Sequence, residues 1–184
     1  MSLKGKTVVL GVTGSIAAYK ALSLARKLQN KGAEVIVVMT EAGTKLVDPL
    51  TFRSLTGNVV PVDMFAPVTN WQIEHISLAE KADLVLIAPA TANSVGKIAN
   101  GIADNLLTCA VMATKAPVLI APAMNVNMYE NPIVQENIKK LRGFGYYFVE
   151  PKVGKLATGI EGMGALADLD DIVERAEELL QGGD

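Results

Sequence analysis

The sequence predicts an α/β fold in which a doubly wound parallel sheet is covered by helices on both faces. Short β-branched runs alternate with longer segments of helical periodicity, and Gly, Pro, Asn or Asp marks each change. Most of the β-branched runs are apolar throughout, which is typical of parallel strands buried on both faces. The chain has 184 residues, of which 50% are hydrophobic. We therefore expect one folded domain over residues 1–184.

Six segments are predicted to be strands because they are short, apolar and bounded by turn residues. In chain order they are residues 7–10, 34–39, 59–60, 84–88, 118–121 and 146–149.

Helices are predicted between the strands. Residues 15–30 carry an apolar stripe, and Gly32 supplies a left-handed stop after it. The pairs Asp48-Pro49 and Asn131-Pro132 each combine an N-cap residue with proline at the first helical position, so each should open a short helix.

The end of the chain and two long connections complete the predicted elements. A last helix over residues 168–180 has an apolar face and acidic residues that face water or cap its N-terminus. The connections over residues 61–74 and 150–167 are longer than is usual in a compact domain. Such loops are commonly functional, so substrate contacts are expected there.

Composition and charge exclude several classes of protein. Seventeen basic and nineteen acidic residues give a net charge of −2, which makes nucleic acid an unexpected partner. No apolar stretch reaches the ~18 residues of a membrane span, and the N-terminus lacks a secretory pattern, so we expect a cytoplasmic protein without membrane association. One cysteine, Cys109, and one histidine, His75, cannot form a disulfide framework or a Cys/His zinc site. No metal is expected.

The turn after the first strand, G-V-T-G-S at residues 11–15, predicts a phosphate site. In a doubly wound fold this turn places free N–H groups at the carboxyl edge of the sheet, which implies a nucleotide-like ligand. The spacing matches neither the dinucleotide fingerprint nor the P-loop. Thr40 ends the second strand where an NAD-binding domain usually presents a carboxylate, although Glu41 is adjacent. The alternative is a tight turn that needs small residues for packing.

Two further polar segments follow predicted strands. A-P-A-T-A-N-S at residues 88–94 places hydroxyl and amide groups beside small residues, which suits a flat cofactor such as a flavin, although an N-cap explains part of it. In P-A-M-N-V-N-M-Y at residues 122–129, Asn125 could donate a hydrogen bond to a carboxylate beside adaptable methionines. A capping role for Asn125 is an equal alternative. His75 is a candidate base, and a structural role is its alternative.

These stretches together resemble the homo-oligomeric flavin-containing cysteine decarboxylases, the family that includes phosphopantothenoylcysteine decarboxylases and lantibiotic peptidyl-cysteine decarboxylases. The resemblance covers nearly the whole chain, and its motifs occur in the family's order. They are G-V-T-G-S-I-A-A-Y-K from Gly11, His75-Ile76, P-A-T-A-N-S, A-D-N-L-L-T around Asp104, and P-A-M-N-V-N-M-Y.

The resemblance implies a flavodoxin-like Rossmann fold with three α/β/α layers, bound FMN, and trimers or dodecamers whose active sites lie between subunits. It implies that His75 is the base, that Asn125 is the carboxylate clamp, and that Met128 and Thr158 contact substrate. The implied FMN-binding residues are Gly14, Ser15, Thr40, Phe52, Thr91, Ala92, Asn93, Ser94 and Ala123.

The implied reaction is decarboxylation of 4′-phosphopantothenoylcysteine towards 4′-phosphopantetheine in coenzyme A biosynthesis. A cysteine carboxylate lacks an acceptor for the electrons that remain when CO₂ leaves. Removal of a hydride from the carbon that bears sulfur gives a thioaldehyde, which can accept them. A phosphopantothenate–cysteine ligase, fused or separate, is the expected protein partner.

One position departs from the family pattern. The phosphopantothenoylcysteine enzymes carry a cysteine in the loop near the C-terminus, and this chain has Thr158 there, with Ala165 in place of an arginine. A threonine hydroxyl is a far weaker acid than a thiol, whose reference pKa is about 8.5. We therefore expect the final reduction to be slow or absent and an ene-thiol to accumulate, unless another acid serves.

Three other functions remain alternatives. They are a peptidyl-cysteine oxidative decarboxylase that releases an ene-thiol, a flavin prenyltransferase of the same fold, and a non-catalytic flavoprotein regulatory subunit. The prenyltransferase lacks the P-x-M-N and histidine pairing, and retention of His75 and Asn125 argues against the regulatory subunit.

Overall fold

The computed structural model describes residues 2–65, 74–155 and 161–182. Its centre is a five-stranded parallel sheet in the order β2-β1-β3-β4-β5. This is the flavodoxin-like doubly wound order, so the predicted fold class is confirmed. The strands are β1 (Thr7–Val12), β2 (Glu34–Met39), β3 (Leu84–Ala90), β4 (Val118–Pro122) and β5 (Tyr147–Phe148).

Helices cover both faces of the sheet, as the apolar strands predict. The described helices are a 3₁₀ turn (Ile16–Tyr19), α1 (Lys20–Asn30), α2 (Glu41–Thr44), α3 (Pro49–Thr56), α4 (Glu74–Lys81), α5 (Ala92–Ala99), α6 (Leu106–Ala113), α7 (Val126–Tyr129), α8 (Pro132–Gly143) and α9 (Leu169–Gln181). One core cluster joins one face of the sheet to α1, α3 and α9. A second cluster joins the opposite face to α4, α5, α6 and α8. The predicted three layers are therefore confirmed.

Burial explains why the sheet could be predicted. Every residue of β3 and β4 is buried, so these strands are apolar throughout. The expected caps are also present, since Asp48 accepts from the Leu50 amide and Asn131 from the Ile133 amide. Gly32 has φ +99°, the left-handed conformation expected after α1.

Several predicted boundaries were wrong. Residues 59–60 do not form a strand. Val59 is 68% exposed there, and the segment contacts β2 through single bonds such as Met39 N–H to Pro61 O (3.1 Å). The strand predicted at 146–149 is limited to Tyr147–Phe148. β1 and β3 each extend two residues further than expected, and β4 extends one residue further. The helix predicted from residue 15 begins as the 3₁₀ turn, with Ser15 as its N-cap.

The long connection predicted over residues 150–167 contains a hairpin. Strands β6 (Lys152–Lys155) and β7 (Glu161–Ala165) pair antiparallel in a separate sheet. Gly162 and Gly164 let β7 lie against the start of α7, because a Cβ on Gly164 would be 2.3 Å from the Met124 carbonyl oxygen. In the described part of the chain, the helices are too short or too polar to cross a bilayer.

Candidate active site

A cavity of about 590 Å³ opens at the carboxyl ends of β1, β3 and β4. This edge contains the topological switch point between β1 and β3, where doubly wound folds bind their ligands. Its volume is within the usual range for small-molecule sites. Four parts of the chain line it: the turn after β1, the start of α5, the loop between β4 and α7, and the end of β7.

The turn after β1 contributes Gly14 and Ser15, two of the predicted FMN-binding residues. The Ser15 hydroxyl caps the 3₁₀ turn by accepting from the Ala17 amide (3.4 Å). Gly14 is also required for packing, because a Cβ there would lie 2.6 Å from the Ala42 Cβ. The ligand-binding and packing interpretations of this turn are therefore compatible.

In the segment after β3, some residues line the cavity and some cap α5. Thr91 and Ala92 line the cavity. Thr91 Oγ1 also caps α5 by accepting from the Ser94 amide (3.3 Å), and the two hydroxyl oxygens are 3.2 Å apart. Ser94 is 4% exposed and Asn93 is exposed, and neither lines the cavity. Capping thus explains Thr91 and Ser94, as the alternative interpretation allowed.

The loop after β4 brings Ala123, Asn125 and Met128 to the cavity. Asn125 Oδ1 caps α7 by accepting from the Asn127 amide (2.9 Å). Because the oxygen is used in this way, the Nδ2 amide is the part of the side chain left to donate to a ligand. Asn125 can therefore serve as a cap and as a carboxylate clamp at once.

Besides Asn93 and Ser94, three predicted site residues in the described part of the chain do not line this cavity. Thr40 caps α2 by accepting from the Gly43 amide (3.2 Å), and Phe52 is fully buried in the core. His75 is on α4, partly buried, and does not line the cavity. Thr158 lies outside the described residues.

Some cavity residues were missed by the sequence reasoning. Lys20, the first residue of α1, brings a positive charge to the cavity, and Ile16 and Tyr19 border it although they are 64% and 61% exposed. Gly164 also lines the cavity. Ile16, Tyr19 and Lys20 all belong to the second half of the motif G-V-T-G-S-I-A-A-Y-K, so that half of the motif could have indicated them.

Cys109 and Asp104 have shifted pKa values and lie outside the cavity. Burial raises the pKa of the Cys109 thiol, and the Asp104 carboxylate adds to the effect. A hydrogen bond from Lys97 lowers the pKa of Asp104. Cys109 Sγ is 3.3 Å from Met64 Sδ, so the thiol packs beside a methionine and is disfavoured as a thiolate. The described residues contain no cluster of three His, Cys, Asp or Glu side chains able to hold a metal.

Comparison with known proteins identifies the class. The family profile described as Flavoprotein matches residues 1–181, and the chain belongs to this flavoprotein family. The coenzyme A biosynthesis bifunctional protein CoaBC of Bacillus subtilis (strain 168) is 49% identical over 176 residues, 96% of this chain. The match covers 43% of that protein, so this chain spans less than half of its length.

Two further similarities cover whole proteins. A probable phosphopantothenoylcysteine decarboxylase of Streptococcus mutans serotype c (strain ATCC 700610 / UA159) is 46% identical over 177 residues, 95% of this chain and 99% of that protein. The crystal structure of the FMN-dependent cysteine decarboxylase SpaF matches with a TM-score of 0.86 at 32% identity. That match covers 98% of this chain and 99% of SpaF.

Proposed function

We propose that this protein is an FMN-dependent carboxy-lyase that decarboxylates 4′-phosphopantothenoylcysteine in coenzyme A biosynthesis. The observation that carries the proposal is the cavity that brings Ser15, Thr91 and Asn125 together at the switch point. The identity of 46% to a probable phosphopantothenoylcysteine decarboxylase, over 99% of that relative, favours this substrate.

The residues around the cavity fit FMN. Gly14, Ala92 and Ala123 are small, which leaves space for a flat ring beside the backbone. The turn at Ser15 borders the space proposed for the phosphate, and Lys20 adds a positive charge. Thr40, Phe52, Asn93 and Ser94 are further proposed FMN-site residues on the family pattern. When bound, FMN would act as the two-electron oxidant of the carbon that bears sulfur, so that the oxidised substrate could accept the electron pair left behind by departing CO₂.

The side chains of this chain then hold the substrate. Asn125 donates from Nδ2 to the substrate carboxylate, and a hydrogen bond to a charged group contributes about 1.5–3 kcal/mol. Met124 and Met128 provide apolar side chains beside the substrate. His75 accepts a proton from the substrate during its oxidation. Thr158 occupies the sequence position at which the family's cysteine donates a proton, so an ene-thiol would be released from the oxidative half and the two electrons would remain on FMN.

The active site is completed by a second copy of the chain. His75 does not line the cavity of its own chain, and Ile16 and Tyr19 beside the cavity are exposed apolar side chains. A homotrimer, or a dodecamer built from trimers, would bring His75 of a neighbouring copy to the cavity. We place the enzyme in the cytoplasm, where its single cysteine stays reduced. Its protein partner is a phosphopantothenate–cysteine ligase, fused or separate, as the bifunctional relative suggests.

Product analysis tests the function. Purified, FMN-loaded protein is given phosphopantothenoylcysteine or a cysteine-terminated peptide, and the products are identified by mass spectrometry. Loss of CO₂ from the phosphopantothenoyl substrate supports the proposal. Reaction of the peptide alone supports the peptidyl-cysteine alternative, which Thr158 favours. Loss of CO₂ from neither substrate contradicts both.

A further inference from the structure

The wall of the cavity between β1 and β3 is tied together by a buried hydroxyl. The ladder between these strands ends at the pair Gly11 and Ile87. Two residues beyond Gly11, the Thr13 side chain donates to the Pro89 carbonyl oxygen (2.7 Å) and accepts from the Thr91 amide (3.0 Å). Thr13 is 1% exposed, so both bonds form in the protein interior.

Backbone bonds continue this connection around the cavity. The Ala123 amide donates to the Ala90 carbonyl oxygen (3.0 Å), which joins the loop after β4 to the end of β3. The Met124 amide donates to the Gly164 carbonyl oxygen (3.0 Å), which joins the β4 loop to β7. In this set of three connections, Thr13 contributes the side-chain link and can therefore be altered by substitution.

We propose that Thr13 is a positioning residue that sets the distance between the turn after β1 and the start of α5, and thereby the affinity of the cavity for FMN. Thr13 precedes Gly14 and Ser15, and its bond to Thr91 fixes the backbone just before Ala92; these four neighbours line the cavity. The ladder does not reach this point, so without the hydroxyl the two loops lose their direct connection. A hydrogen bond between the loops is pre-formed before ligand binding, which reduces the ordering cost of binding.

The test compares Thr13→Val, Thr13→Ala and Thr13→Ser in the FMN-loaded protein. The dissociation constant and the release rate of FMN are followed by flavin fluorescence on dilution. Valine keeps the shape and removes both hydrogen bonds, so we expect FMN to bind at least about tenfold more weakly. Serine keeps the hydroxyl and should bind FMN within about threefold of wild type. Alanine repeats the test if the valine variant does not fold.

Thr108 provides the matched control. It is 2% exposed, its hydroxyl donates to the Asn105 carbonyl oxygen (3.1 Å) and accepts from the Asn105 amide (3.3 Å), and it lies in α6 away from the cavity lining. Thr108→Val should lower the melting temperature and leave FMN affinity unchanged. Equal weakening of FMN binding by Thr13→Val and Thr108→Val would overturn the inference, because a general loss of stability would then explain both.

A measurement on the unsubstituted protein completes the test. The Thr91 amide proton should exchange slowly with solvent before FMN is added, since Thr13 already holds it, and rapid exchange would overturn the inference. The inference rests on the proposed FMN site. Wild-type protein that binds no FMN would overturn the proposed function, and this inference with it. Wild-type FMN affinity in Thr13→Val would overturn this inference alone.

Discussion

Gly164→Ala should damage the wall of the cavity formed by the β6–β7 hairpin. The added Cβ would lie 2.3 Å from the Met124 carbonyl oxygen and 3.3 Å from the Val126 amide nitrogen. Both atoms belong to backbone, so no side-chain rotation can relieve the contact. β7 must therefore move away, and the bond from the Met124 amide to the Gly164 carbonyl oxygen (3.0 Å) breaks.

The size of the effect follows from that bond. A backbone donor left without its partner costs about 1–3 kcal/mol, so urea unfolding should show a decrease of this order in the free energy of unfolding. The displaced hairpin also moves the loop that carries Asn125, and kcat/KM for CO₂ release should fall at least about tenfold.

Two other glycine substitutions serve as controls. Gly162→Ala meets the Val126 Cγ2 and Cβ atoms at 2.9 and 3.2 Å, which are longer distances than the 2.3 Å contact with backbone at Gly164, so its effect should be smaller. Gly96→Ala within α5 meets only the Asn137 Nδ2 atom at 3.7 Å and should stabilise the helix by about 0.5–1 kcal/mol. If Gly164→Ala retained wild-type stability and kcat/KM, the proposed docking of the hairpin would be refuted.

Three further substitutions separate the roles proposed above. Asn125→Asp keeps an oxygen that accepts from the Asn127 amide but replaces the Nδ2 donor. The free energy of unfolding should therefore be unchanged, while kcat/KM falls about ten- to a hundredfold. A wild-type kcat/KM in this variant would contradict the carboxylate clamp. Thr158→Cys should convert an ene-thiol product into 4′-phosphopantetheine, as seen by mass spectrometry, and efficient phosphopantetheine formation by the wild type would contradict the half-reaction. Lys97→Met should raise the pKa of Asp104 in an NMR titration, because the hydrogen bond from Lys97 lowers it. The small contribution of this pair to stability is present above the ordinary aspartate pKa and is lost as pH falls through the lowered value, and an unchanged titration would contradict the assignment.

Burial decides how much of the fold the sequence could predict. β3 and β4 are buried along their whole length and therefore consist of apolar residues, so each could be predicted as a short apolar run bounded by turn residues. The β6–β7 hairpin was missed because it contains glycines and exposed side chains such as Val153 (60% exposed), without the alternation of a half-buried strand. At residues 59–60 a strand was predicted where none forms. The two β-branched valines favour a strand, but the segment does not pair with a neighbouring strand along its length.

The candidate site also contains residues that the sequence could locate and others whose role depends on contacts distant in sequence. Ser15, Thr91 and Asn125 could be located because each lies within three residues of the end of a strand, and parallel strands bring their carboxyl ends to one edge of the sheet. The importance of Thr13 depends on Pro89 and Thr91, which are 76 and 78 residues away, and no local pattern contains that information. In the proposed oligomer, whether His75 reaches a cavity likewise depends on how the copies would assemble, which sequence periodicity does not encode.

The most direct test of the central claim uses phosphopantothenoylcysteine labelled with ¹³C at its carboxyl group, added to FMN-loaded wild-type protein and to His75→Asn. We expect the wild type to release labelled CO₂, and we expect the variant to bind FMN equally well, to remain yellow and to release none. If wild-type protein that holds both FMN and substrate released no ¹³C-labelled CO₂, the proposed decarboxylation would be contradicted.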